Sequence, residues 1–367
     1  MKTILHILNW ILKLLVWIVK SFGLLFAIGL LFAYLSCYVS PATTWFFAFF
    51  GLIFPILFFI NILLFVFWLI LKQKFFWVHL AVLALSVFFV PAYVQLSIFT
   101  KQETAVTPAN ELKVMSYNVH VFGVNYQTKT FKTLSNIAEF VKKENPDILC
   151  LQEIVVFDTD LLKKSFPDYP YIHYHLWSRR GGSKYGAALL SRHPFEDKGV
   201  ILFSNTSGNV CLYADIKKEE NIVRVYNNHL ESTGLNLRLS FSRMAKDERR
   251  NEEIKEVSTR LRDAFIKRAN QVDTVAAHAA KSPYPVLICG DFNDLPMSYT
   301  YRKMKGNRSD SFIAAGSGIP SSFRSFIPAF RIDYIFSDEF FKATNYYIPK
   351  VEYSDHYPVV TVFSMNQ

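Results

Sequence analysis

The first hundred residues contain five lysines (Lys2, Lys13, Lys20, Lys72 and Lys74) and no Arg, Asp or Glu. So few charges cannot clothe a water-exposed domain, which constrains this stretch to apolar surroundings. Three segments approach the roughly 20 apolar residues that a bilayer requires. They are Phe22 to Tyr38, extending back toward Ile11 across Lys13 and Lys20; Trp45 to Leu71; and Phe75 to Phe99, with His79 and Pro91 near its ends. The expectation is a membrane anchor over residues 1–100, built from three transmembrane helices with short loops.

The basic residues orient it. Lys2, Lys13 and Lys20 precede the first span and Lys72 and Lys74 fill the second loop, whereas Val39 to Thr44 has none. The positive-inside bias then keeps the N-terminus and second loop inside and sends residue 101 onward out of the cytoplasm. A signal peptide, or a lipoprotein-type cleavage at Cys37 in AYLSC, is the competing reading, but apolar spans continue beyond it. The opening TILHILNWILKLLVWIVK also suits an amphipathic helix lying along the interface. Residues 101–110 (KQETAVTPAN) read as a polar linker, and 111–367 as a second, polar domain.

Residues 101–367 hold 35 of the 40 basic residues and all 30 acidic ones, a balance of +5. A modest positive charge suits an anionic substrate or membrane surface without choosing between them. Cys37, Cys150, Cys211 and Cys289 form no CxxC and no Cys/His cluster, so reduced, buried thiols are expected and zinc is not.

Short apolar runs alternate with helical patterns after Lys113. KVMSYNV, DILCLQE, AALLS, IVRVYNN, PVLICGD and RIDYIF read as strands, and Phe131 to Glu144 reads as a helix stopped before Pro146. This alternation predicts an α/β domain. Several strands end in groups that hold metals or phosphates: Asn118, Glu153, His229, Asp291 with Asn293, Asp333, and Asp355 with His356. Alternation places Asp291 and Asn293 on one side, and likewise Asn227 and His229. Carboxylates, amides and imidazoles gathered at strand ends suit a hard cation and a phosphate.

In order, SYNV, LQE, NNHLES, GDFND, RIDYIF and SDHYPV resemble the endonuclease/exonuclease/phosphatase family over about residues 112–364. The resemblance implies a four-layer α/β sandwich of two mixed β-sheets flanked by helices, and a Mg²⁺-dependent phosphoesterase, with Mn²⁺ as a substitute. It implies that Glu153 is the principal metal ligand, with Asn118 and Asp355 beside it. Asp291 and Asn293 would orient the attacking water and touch the phosphate. His356, polarised by Asp333, would be the acid/base group or a phosphate donor, and His229 a second phosphate donor. The number of metals and the identity of the base stay open. A carboxylate partner for His229 from an earlier segment, present in some family nucleases, has no counterpart in YPYIHYHLWSRRGG.

Each residue has a plainer rival. Asn118 would cap a loop, Glu153 end a strand in solvent, His229 be a satisfied core histidine, and Asp291 with Asn293 form an Asx turn. Asp333 would pair with Arg331, and Asp355 with His356 would cap a helix. His120, His173, His175, His193 and His278 match no motif and are expected to be structural or superficial. Between HLES and GDFND, Thr233 to Tyr284 is long; Ile254, Val257, Leu261 and Phe265 predict an amphipathic helix with a solvated charged face. Its rival role is a lid bearing Arg238, Arg243, Arg249 and Arg250, with Arg268 nearer a substrate phosphate. Three functions follow: hydrolysis of a membrane-proximal lipid or small phosphoester, an anchored extracytoplasmic nuclease acting on nucleic acid, or a non-catalytic binding protein. The lipid bilayer and a phosphorylated substrate are the expected partners.

Overall fold

A computed structural model describes residues 2–96, 110–204, 208–235, 250–324 and 330–366. The chain divides into two compact units, one comprising residues 1–91 with 297–299, the other the remainder.

The first unit is helical. α1 (Lys2–Leu35) is one continuous helix, so the lysines at 13 and 20 do not break it and the separate interfacial segment is absent. Lys20 lays its ammonium 5.8 Å from the Trp68 ring and 5.9 Å from the Phe75 ring. α2 (Phe46–Leu52) and α3 (Phe54–Ile70) meet at a 68° bend. Pro55 lies at the start of α3, where its ring and missing N–H oppose continuation of the preceding turn. α4 (Phe76–Leu85) passes into a 3₁₀ turn at Ser86–Phe88. Thirteen residues extend only about 20 Å, short of a hydrocarbon core of about 30 Å. The expectation of three transmembrane helices is therefore corrected. Among the described residues α1 alone has the length and apolarity to cross a bilayer, the bent pair adds a second only if counted as one span, and the helix of the third segment is too short. Hydropathy measured length but not helical continuity. Inside this unit Asn61 donates to the Phe26 and Leu57 carbonyls and contacts His79 Nδ1 at 2.9 Å, tying α1, α3 and α4 together.

The second unit contains β1 (Glu111–Asn118), a small hairpin of β2 (Val124–Asn125) and β3 (Thr130–Phe131), α5 (Leu134–Glu144), β4 (Ile148–Val156) and α6 (Asp160–Ser165). It continues with β5 (Tyr171–Ser178), β6 (Lys184–Ser191), β7 (Phe195–Leu202), β8 (Val210–Lys218), β9 (Asn221–His229), α7 (Arg250–Ala279) and β10 (Val286–Asp291). It ends with α8 (Tyr299–Lys305), β11 (Ser309–Asp310), α9 (Ser311–Ala315), β12 (Asp333–Ser337), β13 (Phe341–Tyr347) and β14 (Val359–Met365).

Two six-stranded mixed sheets result, ordered β13-β14-β1-β4-β6-β5 and β11-β12-β10-β9-β8-β7. β1 with β4 and β9 with β10 are the parallel pairs. Alternation along β1 and β4 builds two cores from the same strands. Val114, Ile148 and Cys150 face Leu212, Val225 and Cys289 of the other sheet. Met115, Leu149 and Leu151 face Ile137 and Val141 of α5 on the outside. α7 covers the second sheet, where the Tyr226 hydroxyl meets His278 Nδ1 at 2.8 Å. This is the mixed-sheet α/β sandwich that the resemblance implied. All four cysteines are free and buried.

α5 starts three residues later than predicted because Phe131 is drawn into β3. It ends at Asn145, whose left-handed φ of 53° returns its N–H to Val141 before Pro146. In the long insertion the predicted helix spans Arg250–Ala279. Of the proposed lid arginines, 238, 243 and 249 lie outside the described residues, as does the linker 101–109.

Candidate active site

β9, β10 and β12 lie side by side, and their registers pair His229 with Asp291 and Asp291 with Asp333. Strand pairing thus turns three positions spread over a hundred residues into one row across the second sheet. His356 completes the row from the loop before β14. Its Nδ1 lies 2.9 Å from Asp333 Oδ2, and its Nε2 lies 3.7 Å from Asp291 Oδ2. Ser354 fixes this loop by donating to the Asn118 carbonyl at 2.8 Å and accepting the His356 N–H at 3.1 Å. Arg331, the rival partner for Asp333, is instead bonded to Asp310 at 2.8 and 3.0 Å.

The first sheet supplies the opposite wall. Asn118, at the end of β1, is in register with Gln152 on β4 and donates to Asp291 Oδ2 at 2.9 Å. Glu153 follows inside a β-bulge, where pairing with β6 shifts between Leu151 and Ile154 and φ is +54°. A bulge re-aims side chains that alternation would separate. Gln152 accordingly reaches Asn227 Oδ1 at 2.7 Å between the sheets, while Glu153 Oε1 reaches His229 Nε2 at 3.4 Å. Glu153 is therefore the carboxylate partner of His229 that the earlier segment lacks. Asn227 and His229 do share a side, facing the first sheet. Asn293 comes beside Asp291 by another route than strand alternation: its own φ is +53°, its N–H donates to Asp291 Oδ1 at 2.8 Å, and its amide donates to the Leu230 carbonyl at 2.9 Å.

One member of the cluster carries no sequence motif. His120, Val121 and Phe122 all adopt left-handed φ, at 42°, 54° and 54°. Such a run costs roughly 1–2 kcal/mol per non-glycine residue. It returns His120 over the site, with Nδ1 3.4 Å from Asp355 Oδ2 and 3.7 Å from Glu153 Oε2. His120 is exposed, as expected of a surface residue, and in addition lies beside two carboxylates of the site. Gly123 closes the turn with φ +61°, but a lone glycine after three non-glycine residues does not place His120 over the site. Arg268 corrects in the other direction. It is 1% exposed, bonded to Asp294 at 3.2 Å and the Glu231 carbonyl at 2.8 Å, and so occupied structurally.

The electrostatics follow from this packing. Burial opposes ionisation of Glu153, but His229 and Asn118 outweigh it and hold the carboxyl down at about 2. Burial pushes Asp291 up to about 6, with Asp333 adding to the rise and His356 opposing it. Burial works against a charged His356, yet Asp333 and Asp291 raise it to about 10. Burial likewise opposes charge on His229, and Glu153 overcomes it to raise the group.

Two donor sets compete for a cation. Asp291, Asp333 and His356 bring ligand atoms within 4.8 Å of one another. That set is buried, however: His356 Nδ1 contacts Asp333 and both carboxylates are fully buried, whereas Mg²⁺ usually retains several waters. Glu153 and Asp355, 23% and 40% exposed, flank an open mouth beside the Asn118 amide. Their oxygen donors fit a hydrated hard cation. Neither ring nitrogen of the buried His229 completes a hydrogen bond, and Nε2 rests 3.4 Å from Glu153 Oε1.

Comparison with known proteins accords with this architecture. The profile of the Endonuclease/Exonuclease/phosphatase family matches residues 115–356, and that of a domain of unknown function matches residues 12–93. A search of curated proteins gives no match. Among solved structures, an endonuclease/exonuclease/phosphatase from Beutenbergia cavernae superposes with a TM-score of 0.52 at 20% identity, covering 70% of this chain and 72% of the other. The corresponding protein of Bacteroides vulgatus gives 0.50 at 17% identity, covering 70% and 99%. At these identities the structures speak for the fold, and the profile match over most of the chain speaks for the family. The chain belongs to the Endonuclease/Exonuclease/phosphatase family of metal-dependent phosphoesterases.

Proposed function

We propose that this chain is a membrane-anchored, Mg²⁺-dependent hydrolase of phosphoester bonds in a membrane-proximal lipid or small phosphorylated substrate. The observation that carries the reading is the contact of His356 with Asp333 at 2.9 Å, facing Asp291, opposite the carboxylates of Glu153 and Asp355. Asn118, Glu153 and Asp355 would hold the cation, which when bound neutralises phosphate charge. Asp333 fixes the tautomer of His356 and keeps a proton on Nε2, where it faces the phosphate or leaving oxygen. Asp291 and Asn293 orient the attacking water, and His229 donates to a phosphate oxygen.

The membrane-proximal part of the reading rests on α1. Large apolar side chains from Ile4 to Leu35 are widely exposed along it, a surface that calls for lipid or another apolar partner. With α1 as the single span, Lys2, Lys13 and Lys20 keep its N-terminal end inside and put the catalytic domain outside the cytoplasm; counting the bent pair as a second span reverses this.

The test uses the full chain in detergent with Mg²⁺, offered phospholipid vesicles, sphingolipid vesicles, bis(p-nitrophenyl) phosphate and plasmid DNA. Release of phosphate or a phosphorylated head group that stops with chelator and with His356→Ala is expected. Degradation of DNA alone, with steep salt dependence, would make it an anchored nuclease. No turnover of any substrate, or turnover indifferent to His356→Ala, would make it a binding protein.

A further inference from the structure

Beside the catalytic row lies a cavity of about 440 Å³. His229 and Glu153 form its inner end, and α7, from the long insertion, forms a wall through Arg260, Asp263 and Lys267. The charges of that wall are already matched. Arg260 pairs with Glu256 at 2.7 Å, Asp263 with Arg262 at 2.8 Å, and Lys267 with Glu231 at 2.7 Å.

The opposite wall differs. Tyr185 lines it, with its ring centre 6.5 Å from that of His229, and Arg179 stacks on Tyr185 at 3.9 Å. Gly208, another lining residue, admits this arrangement. Its φ is +123°, and a Cβ there would fall 2.6 Å from the Tyr185 ring and 3.6 Å from Arg179 Nη2. Among the described residues Arg179 makes no ion pair with a carboxylate. A guanidinium held flat on an aromatic ring keeps its N–H edge available and loses little freedom on binding a planar or tetrahedral oxyanion. His229, proposed above as a phosphate donor, lines the same cavity.

Resting on the hydrolase reading above, we infer that this cavity is a subsite for the part of the substrate beyond the scissile phosphate. Arg179 on its Tyr185 platform makes it select substrates carrying a second phosphate. Among the described residues the α7 charges that line the cavity are paired, so the selectivity is assigned to Arg179.

The test compares two pairs of compounds on the full chain in detergent with Mg²⁺. The soluble pair is the p-nitrophenyl phosphodiester of glycerol with and without a phosphate on the far hydroxyl. The lipid pair is phosphatidylglycerol and phosphatidylglycerophosphate in phosphatidylcholine vesicles. In at least one pair the doubly phosphorylated member should show kcat/KM about tenfold or more above its partner, the scale of one charge-assisted contact. Preference in both pairs indicates recognition of the phosphate whatever carries it; preference in the lipid pair alone indicates a head group. Arg179→Ala should bring the ratio close to one, and Arg179→Lys should restore part of it. His356→Ala should lower both members of a pair together. A ratio near one in both pairs for the native chain, or a ratio untouched by Arg179→Ala, overturns the subsite while leaving hydrolysis standing. Absence of hydrolysis of all four compounds overturns the hydrolase reading and the subsite with it.

Discussion

The two walls of the site are built on opposite principles. On the second sheet, Asp291, Asp333 and His356 are at most 4% exposed and already satisfy one another. On the first sheet, Glu153 and Asp355 stand partly open to solvent around His120, and Glu153 also meets His229 at 3.4 Å. The closed wall is finished when the chain folds; the open wall needs a ligand. Ladder registers hold the one, whereas a bulge at Glu153 and a left-handed turn at His120 hold the other. Preorganised dipoles lower a barrier without rearranging, and a water-accessible oxygen set can admit a hydrated ion. On the proposed assignment of roles, the division makes chemistry and metal capture separable in this molecule.

Substitutions can break that division. Asp333→Asn keeps the shape beside His356 but removes the charge that sets its tautomer. It should lower kcat by roughly 10²–10⁴-fold while leaving the midpoint of a Mg²⁺ titration of activity in place. Arg268→Met tests the packing behind both walls. It strands Asp294 in the interior and should cost roughly 3–5 kcal/mol in thermal or urea unfolding. Activity per folded molecule should change little; a large rise in KM would return Arg268 to the substrate. Glu153→Gln acts on the open wall and should move the Mg²⁺ midpoint upward by roughly 10–100-fold, with activity partly recovered at high Mg²⁺. A loss of kcat that Mg²⁺ leaves untouched would erase the distinction between the walls.

The smallest effect lies away from the site. Asp147, just before β4, accepts the Lys113 N–H at 2.8 Å and contacts His193 at 3.2 Å. Burial opposes its ionisation, but His193, the Lys113 N–H and Lys218 together lower its pKa. A depressed carboxyl contributes stability that is present above its unfolded pKa of about 3.9 and is lost as pH falls through the folded value. The Tm gap between the native chain and Asp147→Asn should be open at neutral pH and close in acid below that range. A gap independent of pH would mean that the charge contributes nothing.

How far the sequence reveals this site depends on what holds each residue. His229, Asp291, Asp333 and His356 were legible because polar residues ending apolar strands stand out, and ordinary pairing then aligns them. His120 was not, since its position depends on three non-glycine residues with positive φ, and Gly123 in VHVFG marks only the end of that turn. Nor was the bulge at Glu153, although LQE marked the residue itself; alternation alone would have sent Gln152 and Glu153 apart. Arg268 was misread because a cation near a phosphate site attracts a functional reading until its buried partner, Asp294, is seen. In the helical unit, hydropathy identified the apolar segments but missed the bend at Pro55 and the early end of α4, since both are backbone events within uninterrupted apolar sequence.

The central claim is that one divalent cation binds on the open wall and the closed wall faces it across the phosphate. Crystals of the chain soaked with Mn²⁺ and a non-hydrolysable phosphate analogue, examined by anomalous scattering, test it directly. The account predicts a single peak bounded by Glu153 and Asp355 beside Asn118, with a phosphate oxygen turned toward His356. A peak enclosed by Asp291, Asp333 and His356, or none at either place, would contradict it.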